Sequence, residues 1–316
     1  YEQNPDILSL SWLEQLNLLF NNLARPMTLK HFFCYPLGST PLGGFWGGGK
    51  FKVVLGSCKD RRTVITAWTR ALWDFKLKDG RRLLGGCAIG GADAGITEDD
   101  LGLICRITGD RKCVTGGPGY IKYETMGTTG LVLVHAAKIL AEYSRTPWKG
   151  ALVSISGLGQ VGKGIVKALM LSEYDGPVVI AVSNKEGAIR NHCGIDLALL
   201  LEAVKDSEFG INSLVDKGRA KAIPLGTEMY DRVRFLFLAL SREGVLDRES
   251  SRRVMAPFVL SGTNSGITRD GYGELYSRNR ITPADFMVNI GAASTAKSSW
   301  HGMSVEKCIK LALSAV

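Results

Sequence analysis

The stretch KGALVSISGLGQVGKGIVKALML, residues 149–171, decides the fold. Its apolar run 151–156 contains β-branched residues and predicts a buried strand. Glycines 157, 159 and 162 follow directly, and the apolar residues after them recur at helical spacing. A strand, a GxGxxG turn and a helix in this order are typical of a dinucleotide-binding, doubly wound α/β domain.

Each residue type in this turn has a physical reason. Gly157 permits the tight turn, Gly159 the close approach of the backbone to a pyrophosphate, and Gly162 the packing of the helix on the strand. Gln160 and Val161 complete the turn at the helix N-terminus, whose positive end faces the phosphates. We therefore place all five residues in a cofactor site.

The residue that reads the adenosine ribose is expected at the end of the next strand, VVIAVSN (178–184). In place of an acid at this point the sequence has Asn184 and Lys185, and Glu186 is an alternative residue for binding the ribose. A lysine without a neighbouring carboxylate suits a 2′-phosphate. The cofactor is therefore NAD or NADP.

Apolar runs of strand and helix type alternate along the rest of the chain, without an internal repeat. Helices are predicted at 6–24, 62–78, 97–108, 128–144, 194–206 and 290–315. Strands are predicted at 51–57, 177–184, 231–240 and 256–262, with a strand and loop at 82–95.

Composition excludes several classes of function. The chain has a formal net charge of +9, but its basic residues form no long block, which argues against nucleic-acid binding. No apolar run is long enough to span a membrane, and the first residues do not resemble a secretory signal. We expect a cytoplasmic or mitochondrial-matrix protein. The 7 cysteines include no CxxC pair, so no metal site is predicted.

Several segments together resemble the glutamate, leucine and phenylalanine dehydrogenase family of amino-acid dehydrogenases. In the first half these are LARPMTLK (23–30), WGGGKFKVVLGSCKD (46–60) and GADAGITEDDL (91–101). In the second half they are SGLGQVGKGIVKAL, VSNKEGAI, GIDLALLLEA, LSGTN and DFMVNIGA, all in the family's order. The resemblance covers almost the whole chain.

The resemblance implies a role for each matching residue. Lys30 would bind the α-carboxylate of the amino acid, and Asn289 would help to fix the substrate. Lys50 would be the catalytic lysine that activates water, and Asp93 its partner acid or base. Asn264 would bond the cofactor ribose or nicotinamide.

The sequence departs from the family's pattern at several points. A second alignment places Trp46 at the position of the catalytic lysine. We prefer Lys50, because the match then continues through FKVVLGSCKD without a gap. Gly127 stands where the family has a threonine against the cofactor. Ala296 stands where glutamate-specific members have a serine, which argues against glutamate as the substrate. The glycine-rich strand pair that precedes Lys30 in the family has no counterpart, so we expect a first domain truncated at the front.

We therefore expect an α/β protein of two domains. Residues 1–135 would form the substrate and oligomerisation domain, 136–290 the Rossmann doubly wound domain, and 291–316 a C-terminal helix that returns to the first domain. The family's first domain assembles, so a homo-oligomer or a place in a larger assembly is expected.

The function implied is NAD(P)-dependent, reversible oxidative deamination of an L-amino acid to a 2-oxo acid and ammonia. An alternative is a catalytically weakened or inactive homologue that serves as a structural or regulatory subunit. A third interpretation is a Rossmann reductase unrelated to amino acids, in which Lys30, Lys50 and Asp93 would not converge on the cofactor.

Overall fold

A computed structural model describes residues 60–86, 88–91, 96–185, 187–205 and 210–316. The predicted helix 6–24 and the predicted strand 51–57 lie outside these residues. In chain order the described helices and strands are α1 Arg61–Asp74, α2 Glu98–Thr108, α3 Tyr123–Met126, α4 Thr128–Tyr143, β1 Leu152–Ser156, α5 Gln160–Leu169, β2 Val178–Ser183, β3 Ala188–Arg190, α6 Leu197–Ala203, α7 Asn212–Asp216, β4 Lys221–Ile223, β5 Phe235–Leu238, α8 Arg248–Arg253, β6 Phe258–Ser261, α9 Arg269–Ser277, α10 Asp285–Val288, α11 Gly291–Trp300 and α12 Val305–Ser314.

The strands within the described residues form one six-stranded sheet in the order β4-β3-β2-β1-β5-β6. Strands β2, β1, β5 and β6 are parallel, as expected for a doubly wound domain. Strand β3 pairs antiparallel with β2, and β4 antiparallel with β3. Strands β3 and β4 were not predicted, because strands of three residues are too short to show an alternating pattern.

Helices and loops cover both faces of the parallel strands. Phe235 and Phe237 of β5 belong to one buried cluster, and the alternate residues Leu236 and Leu238 belong to another. All four are fully buried. A continuous apolar strand of this kind is typical of a parallel sheet with helices on both sides.

Helices α4 and α5 pack backbone against backbone on one of these faces. A Cβ atom added at Gly130 would lie 2.3 Å from the carbonyl carbon of Gly164 and from the amide nitrogen of Ile165. A Cβ atom at Gly127, which precedes α4 with φ +71°, would lie 2.6 Å from the Gly164 Cα. Close packing thus explains why residue 127 is a glycine.

We expect Gly130→Ala to lower the free energy of unfolding by about 1–3 kcal/mol, because one of the two helices has to move. Gly273→Ala is the matched control, since Gly273 is also helical but has no atom within 4 Å of an added Cβ. The control should be neutral or stabilise by up to about 1 kcal/mol. Urea unfolding measures both, and equal effects would contradict the packing argument.

Helix α2 begins where predicted, with Thr97 as its N-cap. Thr97 and Asp100 form a reciprocal capping box, and the Asp100 carboxylate also pairs with the Arg61 guanidinium at the start of α1. The hydrogen bond from Arg61 is the main reason why the pKa of Asp100 falls to about 2. One carboxylate therefore both caps α2 and links it to α1.

The stability contributed by Asp100 is present above its ordinary pKa of 3.8 and is lost as the pH falls toward about 2. We expect Asp100→Asn to destabilise the protein at pH 7 and to have a much smaller effect near pH 2. The neighbouring exposed Asp99→Asn, on the same helical turn, is the control. Urea unfolding at several pH values measures this difference, and a pH-independent effect would contradict it.

The C-terminal prediction of one helix over 290–315 is wrong. Helices α11 and α12 are separated by a turn in which Gly302 has φ +78°. The indole Nε1 of Trp300 donates to the Lys112 carbonyl over 2.9 Å, and the Ile121 amide donates to the Ser299 Oγ over 2.8 Å. Helix α11 is thus tied to the segment that precedes α3.

The prediction of a strand within 82–95 is also wrong for its described part, where Leu84, Ala88 and Gly90 make only isolated bridges. Turns at Gly85 and Gly86 interrupt the pairing.

No described helix is long and apolar enough to cross a membrane. The predicted domain boundaries stay predictions.

Candidate dinucleotide-binding site

The carboxyl ends of the four parallel strands meet at one edge of the sheet. Ser156 of β1 is in register with Ser183 of β2 and Leu238 of β5, and Leu238 with Ser261 of β6. The segments that follow these strands therefore lie side by side. Ligands of doubly wound sheets bind in the crevice outside this edge.

The first of these segments is the GLGQVG turn. Gly157 has φ +103°, and its amide donates to the Ser183 carbonyl over 3.1 Å. A Cβ atom at Gly157 would lie 2.5 Å from the Ala239 carbonyl oxygen, and one at Gly162 would lie 2.0 Å from the Gly157 oxygen. Both positions therefore exclude any side chain.

Gly159 is in a different environment. It is exposed, and no atom lies within 4 Å of where its Cβ would be. It is the N-cap of α5, with φ −69°, and no side chain caps this helix end. The space above Gly159 and the uncapped end of α5 suit the pyrophosphate of a dinucleotide.

Gln160 and Val161 begin helix α5 beside the last parallel strand. Gln160 is exposed, and Val161 is half-buried. A Cβ at Gly262, the residue after β6, would lie 2.7 Å from the Val161 Cγ1. The turn after β1 and the segment after β6 thus touch each other.

Asn184 and Lys185 form the turn between β2 and β3. The Asn184 amide donates to the Gly187 carbonyl, and its Oδ1 accepts from the Gly187 amide over 3.1 Å. Asn184 is 5% exposed, whereas Lys185 is exposed at the same edge as Gly157. Asn184 therefore shapes the turn that presents Lys185.

Asn264 and Asn289 lie together on the other side of the edge. Asn289 donates from Nδ2 to the Asn264 Oδ1 over 3.2 Å and to the Gly262 carbonyl over 3.4 Å. Asn289 is 3% exposed, and its Oδ1 has no hydrogen-bond partner among the described residues. A buried acceptor without a partner fits a site whose remaining donor comes from a ligand.

Sequence reasoning missed the residues that support these side chains. Ser265, directly after Asn264, has φ +52°, a strained conformation for a serine, and its amide donates to the Asp285 carboxylate. At β1 and β2, the buried Glu228 accepts hydrogen bonds from Ser156 and Ser183. Asp285 lies in the segment DFMVNIGA and Glu228 lies outside the quoted motifs, but the sequence assigned a role to neither, because each meets its partners only in the folded chain.

The structure does not describe Lys30, Lys50, Asp93 or Glu186, so the predicted catalytic pair and carboxylate-binding lysine stay predictions. Among the described residues, no group of three His, Cys, Asp or Glu side chains is placed to hold a metal ion.

The sheet order and the glycine turn at its carboxyl edge define a Rossmann-type α/β protein. A family model described as Glutamate/Leucine/Phenylalanine/Valine dehydrogenase matches residues 118–308. The chain belongs to this family of amino-acid dehydrogenases.

Individual relatives are distant. A glutamate dehydrogenase of Thermotoga maritima is 27% identical over 152 residues, which are 48% of this chain and 35% of that protein. An NADP-specific glutamate dehydrogenase of Saccharolobus shibatae is 25% identical over 58% of this chain and 41% of its own length. This chain thus matches less than half of either relative.

Solved structures share the fold. The hetero-hexameric glutamate dehydrogenase of Thermus thermophilus, in a leucine-bound form, superposes with a TM-score of 0.69 and 22% identity. The superposition covers 93% of this chain and 68% of the other.

We expect Gly159→Ala to weaken the binding of NADH or NADPH by about tenfold or more, since a methyl group would occupy the space left for the pyrophosphate. The fold should tolerate this change, with a loss of at most about 1 kcal/mol at an N-cap. Fluorescence titration and urea unfolding separate the two effects. Unchanged affinity would show that no ligand approaches Gly159.

Proposed function

We propose that this chain is an NAD(P)-dependent dehydrogenase that interconverts an L-amino acid with a 2-oxo acid and ammonia. The single observation that carries the proposal is the meeting of the glycine turn, Asn264 and Asn289 at one sheet edge, in a chain of the amino-acid dehydrogenase family. NADP-specific members exist, as in Saccharolobus shibatae.

The residues proposed to hold the cofactor would each contact a different part of it. The turn 157–162 would take the pyrophosphate, and Asn264 the ribose or nicotinamide. Lys185 would face the adenosine end, where an exposed cation suits a 2′-phosphate as well as the bare ribose. When bound, the nicotinamide supplies the acceptor for the hydride that leaves the substrate α-carbon.

The substrate would be handled by residues from both halves of the chain. Lys30 would hold the α-carboxylate as an ion pair, because a lysine ammonium is a compact cation. Lys50 would take a proton from the water that adds to the imine carbon, and Asp93 would carry a proton to or from the amine nitrogen. Asn289 would help to orient the substrate.

The position occupied by Ala296 argues against glutamate as the preferred substrate. Ala296 lies on α11 and is 9% exposed, and its methyl group offers no hydrogen bond to a side-chain carboxylate. An amino acid with an apolar side chain leaves no buried charge at this point. We therefore propose an apolar L-amino acid as the substrate.

Assembly is a further part of the proposal. The glutamate dehydrogenase of Thermus thermophilus is a hetero-hexamer, and its fold resembles that of this chain. We propose that this chain also works as an oligomer, and sedimentation of the purified protein would test this.

We expect ammonia and an apolar 2-oxo acid to drive the oxidation of NADH or NADPH by the protein, with 2-oxoglutarate turned over more slowly. Lys50→Ala should lower the turnover about 100-fold or more, since it removes the general base. Lys217→Ala, an exposed lysine at the end of α7, is the matched control.

Two results would point elsewhere. A protein that binds NADH but is inactive with every 2-oxo acid, and unchanged by Lys50→Ala, would favour the structural or regulatory subunit. A protein that binds neither NADH nor NADPH at millimolar concentration would overturn the dehydrogenase proposal.

A further inference from the structure

A buried carboxylate lies beneath the glycine turn and has no part in the reaction proposed above. Glu228 is 1% exposed and belongs to a 3-10 helix, Thr227–Tyr230, which follows β4. This short helix is held to β1, because the Ser154 Oγ donates to the Glu228 carbonyl over 2.7 Å. A carboxylate buried this deeply needs hydrogen-bond donors around it.

Three donors converge on the Glu228 carboxylate. Ser156 Oγ and Ser183 Oγ donate to Oε1 over 2.8 and 2.7 Å, and the Gly226 amide donates to Oε2 over 2.7 Å. Ser156 and Ser183 are the last residues of the neighbouring strands β1 and β2, and both are fully buried. The carboxylate thus joins the ends of the two strands that flank the turn.

The direction of the Ser183 hydroxyl follows from this arrangement. A serine hydroxyl has one proton, and a carboxylate can only accept, so the proton of Ser183 points at Glu228. The lone pairs of the Ser183 Oγ then remain for the Gly157 amide, which donates to this Oγ over 3.3 Å in addition to the Ser183 carbonyl over 3.1 Å. Glu228 therefore fixes Ser183 as an acceptor at the first residue of the glycine turn.

We propose that Glu228 is a positioning residue for dinucleotide binding, which acts through Ser183 to hold the Gly157 amide and hence the whole turn. The inference rests on the proposed function. Asn184 and Lys185 stand where an acid is expected at the end of β2, and the structure places a carboxylate at the same strand end from a different element. Unlike that acid, Glu228 is buried and acts through Ser183.

Ser156 offers a matched control for this proposal. It donates to the same Glu228 oxygen over nearly the same distance as Ser183, and it is equally buried. The Gly157 amide is bonded to Ser183 and not to Ser156. A purely structural role for Glu228 predicts similar effects of Ser156→Ala and Ser183→Ala on both stability and affinity.

The test measures NADH dissociation constants and urea unfolding for both serine variants. Both should lower the urea midpoint to a similar extent. Ser183→Ala should weaken NADH binding about tenfold, whereas Ser156→Ala should change it less than about twofold. Equal changes in affinity, or none for Ser183→Ala, would overturn the inference.

Glu228→Gln provides a second measurement at the carboxylate itself. A glutamine that keeps Oε1 toward the Gly226 amide presents its NH₂ group to the serines, so Ser183 no longer has to donate to residue 228. We expect about tenfold weaker NADH binding, with Glu202→Gln, an exposed acid on α6, as the unchanged control. If Glu228→Gln does not fold, the serine pair decides alone.

The two proposals fail in distinguishable ways. An unmodified protein that binds neither NADH nor NADPH overturns the proposed function, and the positioning role with it. If the unmodified protein and Ser183→Ala bind NADH with the same affinity, the positioning role is overturned and the proposed function stands.

Discussion

The contact of backbone with backbone around the glycine turn is the constraint on which the rest of the domain depends. Gly157 passes directly over the end of β5, Gly162 passes directly over Gly157, and Gly130 lies against Gly164. Each of these contacts leaves no room for a Cβ atom. The result is that β1, α5 and α4 pack at close distances, which set the shape of the carboxyl edge.

Much of this edge could be predicted from sequence, because its signals are local. The strand, turn and helix at 149–171 follow one another along the chain, and each has the residues that its conformation requires. The order of the parallel strands follows from the same unit by the general rules of doubly wound sheets. The antiparallel pair of β3 and β4 carries no such signal, whereas the break between α11 and α12 is marked locally by Gly302 and by Ser304, the N-cap of α12.

The residues that support the site could not be predicted from the sequence. Glu228 is separated by 72 residues from Ser156, and Asp285 by 20 residues from Ser265. No spacing along the chain relates such partners, since their contact is a product of the sheet order. The predicted contacts of Lys30, Lys50 and Asp93 belong to this class too, and only their resemblance to family motifs singled them out.

The antiparallel strands also determine how the sheet ends. Strand β4 forms one edge with three residues, among them the exposed Lys221. Short edge strands that carry a lysine discourage pairing with a strand of another molecule. Strand β4 therefore protects this edge of the sheet against pairing with a strand of another molecule.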